Sequence, residues 1–224
     1  MKIIAINGSP HGKRGSCSYL IKQMFTECEK LGAETEVIRL IKHKINFCLG
    51  CGKCMSEGIC PQKDDVKEIQ DKIREADGIV YASPVYVGHI SGLLKNFIDR
   101  CFAMGHRPSL HDKYAAAVSA YAGIGDINMV TDYMLNNLSG QGAYPVGKVC
   151  AYTLNIKVSE EDQEKARQMG RDMVDAFRQK KKFDWEKQAM ASKGFKALEK
   201  FITERKDLAK EDYKYWKEKG WTDK

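Results

Sequence analysis

Ile3-Ile4-Ala5-Ile6-Asn7, followed without a break by Gly8-Ser9-Pro10-His11-Gly12-Lys13-Arg14-Gly15-Ser16, reads as a short buried strand running into a glycine-rich loop. A helix comes next, with Leu20, Met24, Cys28 and Leu31 on one face. A strand that ends in such a turn at a helix N-terminus presents unpaired backbone N–H groups and the positive end of the helix dipole to an anion, which suits a phosphate. The segment lacks the Gly-Lys-Ser/Thr ending of a nucleotide-triphosphate loop, and Gly8, Gly12 and Gly15 do not match the dinucleotide spacing. The hydroxyls of Ser9, Ser16 and Ser18 and the cations of Lys13 and Arg14 supply donors for a terminal phosphomonoester. Turns of this kind also occur with no ligand.

The alternation continues outward. Thr35 to Leu40 reads as a second strand, and Asp65-Val66-Lys67-Glu68 has the form of a capping box opening a helix with Val66, Ile69, Ile73 and Ala76 as its stripe. Gly78 to Ser83 is a third strand, followed by a helix bearing Ile90, Leu93, Leu94, Phe97, Ile98 and Cys101. Tyr114 to Tyr121 is a fourth strand, Asp126 to Leu138 a helix, Lys148 to Leu154 a fifth strand, and Ser159-Glu160-Glu161-Asp162 caps a helix running to Gln179. Five near-continuous apolar strands alternating with helices predict an α/β fold with a parallel sheet covered on both faces. Periodicity alone leaves the strand order open.

Residues 1–180 thus form one domain, and residues 181–224 a helical tail rich in Lys, Glu and aromatics. Phe195, Leu198, Phe201 and Ile202 fall at helical spacing there, and all three tryptophans, Trp185, Trp216 and Trp221, lie within it. The tail is expected to dock on something apolar, on its own domain or on a second subunit.

Open parallel sheets bind ligands at the C-terminal ends of their strands. Two further loops leave that end: Ser83-Pro84-Val85-Tyr86-Val87-Gly88, with a constrained proline and an aromatic ring, and Tyr121-Ala122-Gly123-Ile124-Gly125, whose small residues let backbone approach closely. A planar ring system would fit between them, although Tyr86 serves equally well as a packing residue.

The loop at 47–61 carries Cys48-Leu49-Gly50-Cys51-Gly52-Lys53-Cys54 and then Cys60-Pro61, a C-x2-C-x2-C-x5-C run. Three thiols at intervals of three wrap a cubane closely, and a fourth slightly farther along closes a four-iron, four-sulfur [4Fe-4S] cluster. Structural zinc more often takes two separated C-x2-C knuckles, and a dithiol redox centre needs only two of these cysteines. Cys17, Cys28, Cys101 and Cys150 fall on helix faces, a helix start or a strand and read as buried small hydrophobes.

Gly8-Ser9-Pro10, Ser83-Pro84-Val85-Tyr86 and the helix Leu94-Lys95-Asn96-Phe97-Ile98-Asp99-Arg100 resemble the NADPH-dependent FMN reductase group of flavodoxin-like proteins over about residues 1–155. The cysteine run is similar to that of the group's iron–sulfur flavoprotein branch. The resemblance implies a doubly wound five-stranded parallel sheet of order 2-1-3-4-5 and an FMN phosphate held by the first loop, at Ser9, His11, Arg14, Gly15, Ser16, Cys17 and Ser18. It places the isoalloxazine edge against Pro84, Val85, Tyr86 and Val87 and against Ala122, Gly123, Ile124 and Gly125. Where the family's first loop often has Gly-Asn-Thr, this chain has Ser16 and Cys17, and a thiol in place of a hydroxyl weakens one expected phosphate contact. Cys48, Cys51, Cys54 and Cys60 satisfy the branch's motif in full, which implies electron transfer between cluster and FMN, with homo-oligomers (dimer or tetramer) bringing one subunit's cluster near another's flavin.

The expected activity is therefore that of a flavin-dependent oxidoreductase coupling a one-electron carrier such as ferredoxin to a two-electron small-molecule acceptor. The alternatives are an NAD(P)H-dependent FMN or quinone reductase without a cluster, in which NAD(P)H is a substrate, and a non-catalytic carrier or redox sensor. His11, His43, His89, His106 and His111 are scattered, and no acid–base or nucleophilic constellation is visible. The net charge of +7 is spread along the chain rather than gathered into a block, which argues against nucleic acid and suits an acidic partner. With neither a long apolar leader nor a run of membrane-spanning length, the reading predicts a cytoplasmic protein that does not enter a membrane.

Overall fold

The computed structural model describes residues 1–123, 126–153, 157–182 and 184–222. Its strands are β1 (Lys2–Asn7), β2 (Glu34–Arg39), β3 (Gly78–Tyr86), β4 (His89–Ile90), β5 (Tyr114–Tyr121) and β6 (Tyr144–Tyr152). The helices are α1 (Ser16–Lys30), α2 (Lys53–Ser56), α3 (Val66–Glu75), α4 (Gly92–Arg100), α5 (Phe102–His106), α6 (Ile127–Gly140), α7 (Glu160–Arg178), α8 (Trp185–Ala191), α9 (Lys193–Glu204) and α10 (Lys210–Glu218).

The N-terminal apolar run lies inside the sheet, β1 pairing in parallel with both β2 and β3. Ile3, Ile4, Ala5 and Ile6 are all fully buried. Because successive side chains of a strand point to opposite faces, Ile4 and Ile6 enter a core with α3, α4 and α6, and Ile3 and Ala5 enter a second core with α1 and α7. The full order is β2-β1-β3-β5-β6. Apart from the two-residue β4, which folds back antiparallel on β3, this is the expected flavodoxin-like 2-1-3-4-5 arrangement, with helices following it at the C-terminus.

Four local readings change. Ile90, expected on the helix that follows the third strand, instead pairs with Val85 in β4, and α4 begins only at Gly92. The fifth long strand begins at Tyr144, earlier than the Lys148 expected, because a bulge at Val146, opposite the Ala115–Ala116 step of β5, accommodates the interruption at Pro145 to Gly147. An edge strand tolerates such a proline. The predicted strand end, Leu154, lies outside the described residues. The third strand runs on through Pro84 to Tyr86 rather than stopping at Ser83. At the start of α3, Asp65 makes no side-chain cap. Instead Asp64 Oδ1 accepts from Val66 N at 3.3 Å, while Asp64 Oδ2 and Asp65 Oδ2 each accept at 2.9 Å from Asn46 N and Lys44 N. The two carboxylates thus tie the helix to the irregular segment that leads into the cysteine loop.

The tail's tryptophans are consumed within this chain. Trp185, Trp216 and Trp221 form an apolar cluster with Phe195 and Ile202, and the rings of Phe195 and Trp216 stack at 4.6 Å. None of the described helices is long and apolar enough to cross a membrane.

Candidate functional site

A cavity of about 250 Å³ opens at the C-terminal ends of β1, β3 and β5. The loop after β1 contributes Ser9 and His11 to its wall and the first turn of α1 contributes Ser16 and Cys17, while β3 contributes Pro84, Val85 and Tyr86 and the loop after β5 contributes Ala122. These eight residues are far apart in sequence and were all anticipated. Tyr121, which opens the expected third loop, lines it too, as do Ala120 and Thr153, which were not anticipated; Thr153 lies just past the end of β6, where the strand-end rule would have found it.

The other expected residues lie elsewhere. Arg14 is exposed on a 3-10 turn over Gly12–Arg14, and Gly123 is exposed as well. Gly15 is buried behind the wall. Ser18 is also buried, its hydroxyl proton committed to the Gly12 carbonyl while the oxygen accepts from Asn7 Nδ2 at 2.7 Å. Ile124 and Gly125 fall outside the described residues. Val87 sits fully exposed at the tip of the β3–β4 hairpin, beyond the cavity. Its φ is +50° and that of Gly88 is +74°, the form a two-residue hairpin favours. For a β-branched residue this conformation stores about 1–2 kcal/mol.

Buried polar groups hold the three loops in register. Ser9 N donates to Asn7 Oδ1 at 2.8 Å, Ser91 Oγ to the Gly8 carbonyl at 2.7 Å, Ser91 N to Ser83 Oγ at 2.8 Å, and Ser119 Oγ to the Ser83 carbonyl at 2.8 Å. Gly8 must lack a side chain, since a Cβ there would lie 2.6 Å from Leu94 Cβ. Helix α1 then starts with no acidic residue in its first turn and no side-chain cap, so the positive end of its dipole faces this loop without a fixed counter-charge in that turn. Burial pushes the Cys17 thiol up to about 12, so it forms a neutral part of the cavity wall.

A second cavity, of about 340 Å³, lies in the loop after β2, and all four motif cysteines line it. Cys48, Cys51 and Cys60 are exposed and Cys54, on α2, is half-buried. Gly50 and Gly52 have φ of +62° and +72°, a backbone path that would strain any other residue. Gln62 Nε2 donates to the Phe47 carbonyl at 2.9 Å, drawing the two ends of the run together. Among the described residues no three His, Cys, Asp or Glu side chains converge on a point where one metal ion would sit. Burial, with Asp212 adding to it, pushes the Cys54 thiol up, the opposite of what a reactive thiolate requires.

Two arginines that were not expected at a site serve this loop. Arg100 of α4 forms a buried bidentate pair with Asp64, at 2.5 and 3.1 Å. It also donates to the Asn46 carbonyl at 2.8 Å and to Cys60 Sγ at 3.4 Å. Arg107, just after α5, donates to the carbonyls of Cys54 and Gly58 at 3.0 Å each. No local pattern marks either residue, because their partners lie 36 to 54 positions away.

The model of the NADPH-dependent FMN reductase family matches residues 1–155. An iron–sulfur flavoprotein of Archaeoglobus fulgidus is 37% identical over 221 residues, 98% of this chain and 99% of the relative. One from Methanocaldococcus jannaschii is 41% identical over 122 residues, 54% of this chain and 63% of that protein. Among solved structures, RosB, determined with a bound riboflavin-5'-phosphate derivative, shares the fold at a TM-score of 0.64 and 21% identity, over 85% of this chain and 86% of its own. An archaeal flavodoxin aligns at 0.53 and 15% identity, over 80% and 99% of the two chains. The chain belongs to the NADPH-dependent FMN reductase family, in its iron–sulfur flavoprotein branch, and is a flavin-dependent oxidoreductase.

Proposed function

We propose that the protein passes electrons between FMN and a [4Fe-4S] cluster, coupling a two-electron reaction to a one-electron carrier. The observation that carries the cluster is that Cys48, Cys51, Cys54 and Cys60 all line one cavity. Arg100 lines that cavity, and its buried Nε has no partner among the described residues, which suits an anionic group there. When bound, FMN exchanges electrons singly or in pairs and the cluster singly. The chain's own part is to hold them: Ser9, Ser16 and the N-terminus of α1 bind the phosphate, Pro84 to Tyr86 and Ala122 border the ring, and the Arg100–Cys60 contact tunes the cluster's potential.

A net charge of +7 favours an acidic partner such as ferredoxin. Apolar side chains are exposed beside both cavities, Tyr86 and Val87 at one and Phe47, Leu49 and Ile59 at the other. That is the surface expected of a homo-oligomer in which one subunit's flavin faces another's cluster. Anaerobically purified protein is expected to show flavin bands plus a broad absorption that bleaches on reduction, with about four irons per chain, and to elute above the monomer mass. Flavin bands without iron would leave the NAD(P)H-dependent reductase reading instead.

Ser16→Asp tests the phosphate site. A carboxylate in the first turn of α1 is favourable for the helix itself but repels a phosphate, so apo-protein stability should hold while FMN affinity falls by about tenfold or more, as expected for losing one charged hydrogen bond. FMN titration of the apo-protein measures it, and an unchanged dissociation constant would remove Ser16 from the site.

A further inference from the structure

The C-terminal segment reaches the cysteine loop through a buried carboxylate. Asp212 of α10 is fully buried and both of its oxygens are engaged, Oδ2 with His106 Nδ1 at 2.8 Å and Oδ1 with Arg107 Nη1 at 2.6 Å. The other arm of the same guanidinium, Nη2, makes the two bonds to the Cys54 and Gly58 carbonyls. Two more bonds seat α10 on this part of the chain: Trp216 Nε1 donates to the His106 carbonyl at 2.6 Å, and the Tyr215 hydroxyl to the Pro108 carbonyl at 2.7 Å. Glu211 lies directly over the loop, its Cγ 3.4 Å from where a Cβ on Gly58 would be.

The place these contacts converge on is informative. The intervals Cys48–Cys51 and Cys51–Cys54 are short and turn through glycines with left-handed backbone. Cys54–Cys60 is the longest interval of the motif, so ordering it costs the most chain entropy. The two carbonyls that Arg107 holds are at its beginning and near its end. A planar guanidinium with a rigid fork can bridge a carboxylate on one side and two carbonyls on the other, which a lysine cannot.

We infer that the C-terminal segment is a brace for the cysteine loop, with Asp212 and Arg107 as positioning residues that hold the Cys54–Cys60 interval in the form that retains a cluster. The inference rests on the reading of the four cysteines as cluster ligands. It makes cofactor retention depend on a helix more than 150 residues beyond the ligands in sequence.

The test uses full-length, anaerobically purified Arg107→Lys and Asp212→Asn beside the parent protein. Arg107→Lys keeps a cation next to the buried carboxylate but loses the fork, and so carries the test if Asp212→Asn fails to fold. Both variants should keep the parent's FMN content, lose iron to a chelator about 10- to 100-fold faster, as for other groups that orient metal ligands, and show an altered EPR line shape of the reduced cluster. Parent-like iron loss and EPR spectra in folded, FMN-loaded variants would overturn the brace. If the parent itself held no iron, the cluster reading would fall, and the brace would then be judged by hydrogen exchange and Cys54 alkylation in the loop. Both should quicken in the variants, and equal rates would overturn it.

Discussion

Arg100→Met is expected to destabilise the folded protein by about 3–5 kcal/mol, the effect of removing one partner of a buried ion pair. The side chains of Arg100 and Asp64 are each only 1% exposed, so the substitution leaves a carboxylate without its counter-charge away from water. Asp64 would retain its bonds from Asn46 N and Val66 N, and those dipoles do not replace a cation. Burial by itself raises the Asp64 pKa, but the Arg100 hydrogen bonds and the two backbone N–H groups outweigh it, and the carboxyl ends below its ordinary value of 3.8. The pair's stabilisation is therefore fully present above the ordinary value and is lost as pH falls through the lower folded one. The gap between parent and variant should shrink over that acid range. Urea unfolding measures the change, and Arg100→Met combined with Asp64→Leu should recover part of the loss, since an apolar pair of similar volume removes the stranded charge. A single-variant loss under about 1 kcal/mol, the usual value of an exposed pair, would mean that water reaches Asp64.

This pair also marks where the sequence stops being readable. The sheet was legible because each strand is an apolar run whose alternate residues meet different helices, as Ile3 to Ile6 do. Its order was not legible from periodicity and followed from the resemblance. Boundaries were missed where a proline interrupts a strand without ending it, at Pro84 and Pro145, and where a short hairpin strand takes Ile90 out of the helix that its spacing suggested.

The residues expected from compact motifs, the four cysteines and Ser9, Ser16, Pro84 and Tyr86, come together as the linings of two cavities. What supports them was hidden. Asn7 with Ser18, Ser83 with Ser91 and Ser119, and Arg107 with Asp212 are satisfied across the fold, and no spacing rule connects residues that meet only after folding. Ser18 shows the converse error. Its residue type suited a phosphate donor, but the folded loop needs its hydroxyl to hold itself together. The tail's aromatics were legible as docking groups, whereas the charged contact beneath them, Asp212 on Arg107, was not.

On the proposed reading of the four cysteines as cluster ligands, Cys54→Ala is expected to abolish or convert the cluster while FMN remains bound. A cubane held by four thiolates loses one iron's protein ligand, and Cys54 is the least replaceable of the four: it alone is half-buried, and it sits on α2, under the carbonyl grip of Arg107. Loop water or a neighbouring side chain can reach the exposed positions of Cys48, Cys51 and Cys60 more easily. The flavin should be spared because the cavity at the ends of β1, β3 and β5 shares no lining residue with the cysteine cavity. Iron and FMN are measured on the same anaerobic sample. Cys28→Ala is the matched control, since Cys28 is fully buried, its thiol is pushed up to about 12, and it faces the Gly170 carbonyl at 3.5 Å on the far core. That variant should keep the parent's iron. About four irons per chain in Cys54→Ala would show that the cluster is held without this thiol, and the assignment of the motif would have to be abandoned.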